Sequence, residues 1–304
     1  MDVFTSQPST YQTLDFNVAG QIIRLRVPSS FNWQKELISF GPFHVAYDPE
    51  VPVCLEAEVR YGPCDMALPE RQLLSDVSIV WERFLFEDAG DYYVTTVKNQ
   101  DETEKSMMVS EKGFRASTLY VKDSQQAGTA INWLLMVQFG QRILAFGGVL
   151  MHASVVEDGK EAYAFLGKSG TGKSTHSRMW LQAFSDFSLL NDDNPVLMVD
   201  EDKQQVHIYG TPWSGKTPCY RKDGFPLKGI VRLEQAPENQ FTMHAGSQAF
   251  LSLMPSGTGI RWNNAIFSRM LDNLQRVSEL TRVGYLRCLP NTASARLCFQ
   301  SLQD

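Results

Sequence analysis

Ala162-Tyr163-Ala164-Phe165-Leu166-Gly167-Lys168-Ser169-Gly170-Thr171-Gly172-Lys173-Ser174-Thr175 is the stretch around which the chain is organised. From Gly167 to Ser174 it fits the spacing G-x-x-x-x-G-K-[ST] of a phosphate-binding loop. Gly167, Gly170 and Gly172 let the backbone fold tightly and turn its N–H groups inward around an anion. Lys173 brings a positive charge to the β- and γ-phosphates, and the Ser174 hydroxyl is placed as a Mg²⁺ ligand. The flanks agree with this reading. Residues 163–166 read as a short buried strand, and 175–184 as a helix whose N-terminus would face the phosphates. The expected nucleotide contacts are Gly167, Lys168, Ser169, Gly170, Thr171, Gly172, Lys173, Ser174 and Thr175. Such a loop does not say what is phosphorylated.

The rest of the composition narrows the class. A chain of 304 residues suggests two domains, and 43% hydrophobic with 20% charged residues suits a globular protein with a sizeable core. The net charge of −6, from 28 basic and 34 acidic residues, argues against a nucleic acid partner. Met1 to Gln7 lack the basic and apolar regions of a signal peptide. The most apolar stretch, 131–151, is interrupted by Gln138, Gln141 and Arg142, so no membrane span is expected. Cys54, Cys64, Cys219, Cys288 and Cys298 are odd in number and form no C-x-x-C pair. That pattern predicts reduced thiols, a cytoplasmic protein and no zinc site.

Residues 1–125 read as an antiparallel, β-rich N-terminal domain. Leu14, Phe16 and Val18 alternate on one strand, Ile23, Leu25 and Val27 on the next, with a turn at Ala19-Gly20-Gln21. Further strands are expected at 43–47, 54–59, 77–86, 92–98, 105–109 and 119–121, with Glu102-Thr103-Glu104 as a solvated turn. An apolar helix over 127–146 marks a junction segment, 126–148. The second domain, 149–304, opens with a strand over 149–156 and a turn into the strand that feeds the loop. Strands at 187–190, 196–199, 205–209, 230–234 and 285–289 follow, with helices at 248–253, 263–277 and 292–302.

Asp192-Asp193 stand at the end of the strand after the loop and its helix. Phosphoryl transfer needs a carboxylate on Mg²⁺ and often a second to take the nucleophile's proton. Adjacent strand residues point to opposite faces, so Asn194-Pro195 must begin a turn for both to converge. Lys216, in Ser214-Gly215-Lys216, is a further phosphate candidate. Arg221, Lys222 and Arg232 could stabilise transferred charge, and Trp213 reads as core. His176 reads as a helix-surface residue, and 256–261 as a flexible loop.

Gly167 to Thr175 resembles the loop of the phosphoenolpyruvate carboxykinase-type kinases, and Leu190-Asn191-Asp192-Asp193 resembles the second motif of that superfamily. His152, the loop and the Asp pair together resemble the catalytic domain of HPr kinase/phosphorylase in order and spacing, clearly over 148–235. The resemblance implies an α+β fold in which a carboxykinase-type P-loop domain with a mixed sheet follows the β-rich domain. It implies an ATP- and Mg²⁺-dependent kinase acting on a hydroxyl, of a protein serine, a peptide or a small molecule. In that reading Lys173 holds phosphates and Ser174 and Asp193 hold the metal. Asp192 and Asp193 share the general-base and metal roles, with Asp192 the preferred base, His152 sits near the phosphates, and a homo-oligomer is expected. Thr175 departs from the acidic residue common after the loop serine in HPr kinases, and no manganese-binding Lys and His motif of the carboxykinases is present. Two other readings compete: a nucleotide-binding sensor without transfer activity, and a small carboxykinase-like metabolic enzyme.

Overall fold

The alternation over 11–27 builds the first hairpin, β1 (Tyr11–Val18) and β2 (Gln21–Pro28), with Ala19 and Gly20 both left-handed at the turn (φ 53° and 78°). The computed structural model describes residues 10–79, 82–99, 105–124, 126–215 and 217–303. The expected turn at 102–104 and Lys216 fall outside them. The chain divides into two units, Met1–Arg142 and Ile143–Asp304.

In the first unit the hairpin is followed by α1 (Trp33–Glu36), β3 (His44–Val45), β4 (Leu55–Tyr61), β5 (Gln72–Ile79), β6 (Glu82–Ala89), β7 (Tyr92–Asn99), β8 (Lys105–Glu111), β9 (Ala116–Val121) and α2 (Ala127–Arg142). They form one nine-stranded sheet in the order β3-β1-β2-β4-β9-β8-β7-β6-β5. The antiparallel expectation is corrected in two places, because β2–β4 and β4–β9 pair in parallel. The connection between β2 and β4 carries α1, a short 3-10 segment and β3, and it is long enough for the chain to return so that β4 enters in the same direction as β2. The single strand expected over 77–86 is the end of β5 and the start of β6. Helix α2 packs on β4, β7, β8 and β9 of this unit and buries Ile131, Leu134, Leu135 and Phe139. Its fully buried Gln138 accepts from Ser117 Oγ and donates to the carbonyls of Glu56 and Phe114. A buried amide so satisfied fixes the helix at one position over the sheet.

The second unit contains β10 (Gly148–Leu150), β11 (Ala153–Glu157), β12 (Ala162–Leu166), α3 (Lys173–Ala183), β13 (Ser188–Asp193), β14 (Val196–Asp200), β15 (Gln205–Tyr209), β16 (Gly224–Gln235), β17 (Gln240–His244), α4 (Ser247–Leu253), α5 (Asn264–Leu280), β18 (Arg282–Cys288) and α6 (Thr292–Gln303). Its sheet follows β10-β14-β15-β16-β12-β11-β13, with β18 pairing β16 and β17 pairing β18. Contacts β12–β16 and β16–β18 are parallel, the others antiparallel. On one face α3 and α6 cover Tyr163, Phe165, Val231, Leu233 and Leu286 around the fully buried Trp180. Alternation along β16 sends Arg232 to the other face, toward α4. Helix α5 buries Ile266, Met270, Leu274 and Val277 at the spacing of one helical stripe. The protein is thus of the α+β class with two mixed sheets. Among the described residues no helix is long and apolar enough to cross a membrane, and all five cysteines are free thiols.

Candidate functional site

The sheet order explains why three separated sequence segments meet. Strand β11 lies between β12 and β13 and runs antiparallel to both. Its first residue, Ala153, therefore stands across from Leu166, just before the glycine loop, and from Asp193. The strand expected over 149–156 is broken at Met151 and His152, and the break delivers His152 beside the loop. The carbonyl of Ser256 accepts from His152 N–H at 2.7 Å, and Thr258 N–H donates to Leu150 O at 2.9 Å. The segment 256–261, expected to be a flexible loop, is pinned along this break, with Ser256 and Ile260 buried.

The loop itself is tight. Gly170 and Gly172 take φ values of 81° and 107°, which a residue with a Cβ reaches only at a cost. Helix α3 begins at Lys173, and no side chain caps its first turn. Its leading N–H groups are therefore available to a ligand. Lys168, Ser169 and Gly170 are exposed on the loop, Gly167 is buried, and Thr171 and Thr175 are half-buried. The Ser174 hydroxyl is exposed, whereas Thr175 Oγ1 accepts from Arg178.

Lys173 folds back over the loop. Its ammonium donates to Gly167 O at 3.1 Å and to His152 Nε2 at 2.7 Å. An ammonium has no acceptor, so His152 accepts at Nε2 and carries its proton on Nδ1. That Nδ1 lies 2.9 Å from Asp193 Oδ1. The result is a directed chain from Lys173 through His152 to Asp193. Burial lowers the Lys173 pKa, Asp193 and Asp192 push it back up, and Arg232 pushes it down.

Strand β13 extends through both aspartates, further than the sequence indicated. Asp193 turns to His152, while Asp192, only 8% exposed, accepts from Thr217 Oγ1 at 2.9 Å. The turn that follows is set by Asn191, whose Oδ1 accepts from the N–H of Asp193 and of Asn194. Its amide donates to Thr211. Gly215 N–H donates to Asp192 O, and a Cβ there would meet that oxygen at 3.0 Å, a tight contact that a side chain would relieve only by moving the Asp192 backbone.

Arg232 is the positive group that sequence reasoning undervalued. It is level with Leu166 in the β12–β16 register and donates to Ser252 O and Ser256 Oγ. Among the described residues no carboxylate pairs with it, and burial pushes its pKa down. Arg221 is spent elsewhere, on Glu157 and Asp223. Trp213 is buried. His176, expected on the helix surface, is buried instead, 4% exposed, and accepts at Nε2 from Trp180. Burial drops its pKa to about 4. Its place under the loop was visible only as the spacing of four to Trp180. Thr217 carried no motif, and Asn191 stood in the Leu190–Asp193 motif without a role of its own. The chain matches no protein-family model, and no curated protein sequence matches it.

Proposed function

We propose that the second unit is an ATP- and Mg²⁺-dependent kinase with a carboxykinase-type P-loop, which transfers the γ-phosphoryl group to a hydroxyl. The observation that carries this reading is the chain Lys173–His152–Asp193 lying over an uncapped helix N-terminus, with Asp192 beside it. Lys173 uses two of its three donors inside the protein and keeps one for a phosphate oxygen. His152 holds that ammonium over the loop and holds Asp193 in place. Asp192 accepts the proton of the acceptor hydroxyl as its oxygen bonds to the γ-phosphorus. The bond from that phosphorus to the β–γ bridging oxygen breaks, and ADP leaves. Positioning and electrostatics supply most of the acceleration in such a transfer.

The residues suit Mg²⁺. Among the described residues no group of three or more His, Cys, Asp or Glu forms a protein cage. Mg²⁺ bound with nucleotide needs only one or two protein oxygens besides phosphates and water. The unengaged Ser174 hydroxyl and the Asp193 carboxylate would hold it, and when bound it neutralises charge on the β- and γ-phosphates.

The test is transfer from γ-labelled ATP with Mg²⁺, with and without extract of the source cells, separating labelled protein from labelled small molecules. Lys173→Ala is expected to abolish transfer with the circular dichroism unchanged, and Asp192→Asn to slow it by about 10²–10⁴. Equal labelling by wild type and Lys173→Ala would sink the assignment.

A further inference from the structure

The glycine loop has two sides. One carries Lys173, His152 and the aspartates. The other opens into a separate cavity of about 700 Å³, none of whose lining residues belongs to that cluster. This volume falls within the range of small-ligand sites. Its floor is the loop and the first turn of α3. Its walls are the end of β16, with Leu233, Gln235, Ala236 and Pro237, and the residues after β18, with Leu289 and Pro290. Among the described residues no Asp, Glu, Lys or Arg lines it. A charged phosphate tail on the Lys173 side would leave an open cavity without charged walls on this one.

We propose that this cavity takes the base and sugar of the nucleotide, and that Gln235 selects adenine over guanine. The proposal rests on the phosphate-loop reading above. Gln235 Nε2 donates to the carbonyls of Gly170 at 3.3 Å and Thr171 at 3.2 Å. Carbonyls only accept, so the amide nitrogen must face them, and the polar atom left to Gln235 is the acceptor Oε1. Adenine presents an N6 amine donor where guanine presents the O6 acceptor. An acceptor beside the cavity therefore bonds adenine and leaves guanine with two opposed oxygens. The same amide ties base recognition to loop shape, because it holds the two loop carbonyls that precede Gly172. His176 lines the cavity as a neutral imidazole, with Nε2 committed to Trp180 and Nδ1–H left as a donor for the base or the sugar.

The experiment is titration calorimetry of the full chain with Mg²⁺ and ATP, GTP or inorganic tripolyphosphate. ATP is expected to bind at least about tenfold tighter than GTP, a preference worth about 1.4 kcal/mol. Gln235→Ala brings the two within about twofold; that ratio cancels any loosening of the loop, which both nucleotides share. Ala236→Phe fills the cavity and weakens ATP about tenfold or more while tripolyphosphate binds as before. Should that variant lose tripolyphosphate as well, its fold is damaged, and Leu289→Trp, at an already exposed position, replaces it with the same expectation. Equal affinity for ATP and GTP overturns the role of Gln235. Undiminished ATP binding in a cavity-filled variant overturns the location. Failure of wild type to bind tripolyphosphate or ATP overturns the phosphate-loop reading instead.

Discussion

At the scale of single residues, charge without a partner is the informative feature. Arg232 is partly buried, donates among the described residues to a carbonyl and a hydroxyl and to no carboxylate, and lies close enough to Lys173 to lower its pKa. A guanidinium so placed is completed by an anionic ligand, and a charge-assisted hydrogen bond contributes about 1.5–3 kcal/mol. Arg232→Met is therefore expected to weaken ATP binding about tenfold by calorimetry, and unchanged affinity would place the side chain outside the ligand's reach. His176 illustrates the opposite case, a titratable group kept neutral. Its folded pKa of about 4 lies below the ordinary value of 6.5, so between those values the unfolded chain binds the proton and the folded one does not. Stability is full above about pH 6.5 and falls as the pH drops toward 4, by about 3 kcal/mol in total from this group. A histidine NMR titration should show one imidazole with a midpoint near 4, and denaturation midpoints should fall less steeply with pH in His176→Gln.

Among elements, the turn after β13, the strand that carries the aspartates, is set by the side chain of Asn191. Asn191 is fully buried, and its loss would take an acceptor from the Asp193 N–H, whereas the Asn194 N–H keeps the carbonyl of Trp213. Asn191→Ala is expected to cost about 2–3 kcal/mol in urea unfolding. Asn191→Asp, which keeps the accepting oxygen, should cost less unless the buried charge dominates, and a pH series separates the two terms. The glycine loop gives a second prediction. With φ at 107°, Gly172→Ala should destabilise by about 1–2 kcal/mol and lower ATP affinity, because the strain falls where α3 meets its ligand. The strand, glycine loop and helix were legible in sequence, since each follows from local rules: an apolar run, left-handed glycines, a helix start. The break at Met151 and His152 was not, because an unbroken apolar run gives no local reason to stop pairing. Strand β17 was missed for a related reason: its residues are mostly exposed, and its alternation is only two apolar residues long, Phe241 and Met243.

On the scale of the whole molecule, the net charge of −6 predicts weak attraction to polyanions. The protein should pass through heparin at about 0.15 M salt, where only close basic clusters stay effective. Retention there would reveal a local basic patch. Each unit has its own sheet and buried core; the parallel pairs of the first sheet were beyond sequence reasoning, and in the second, expected to be mixed, the partners of the parallel pairs were. Hairpins announce themselves through short turns, whereas a parallel neighbour is chosen by a connection dozens of residues long. Arg232 was undervalued for the same reason: its strand was readable, but the neighbour on each side of it was not.

By itself, then, the sequence determined the elements whose causes are local: the first hairpin, the loop from Gly167 to Ser174, the helix behind it, the hairpin of β14 and β15, and the amphipathic α5. It also singled out His152, Lys173, Asp192 and Asp193 as chemistry-bearing residues. Only the tertiary structure decided which of them touch. Placing β11 between β12 and β13 joins Lys173 to His152 and His152 to Asp193, and turns Asp192 to Thr217. The same sheet order brings β16 and β18 to the loop's other side, where their ends wall the open cavity. The physical reason is that propensity and turn chemistry act over a few residues. Contacts between segments dozens of residues apart are settled by which packing buries the most apolar surface while leaving every backbone group paired.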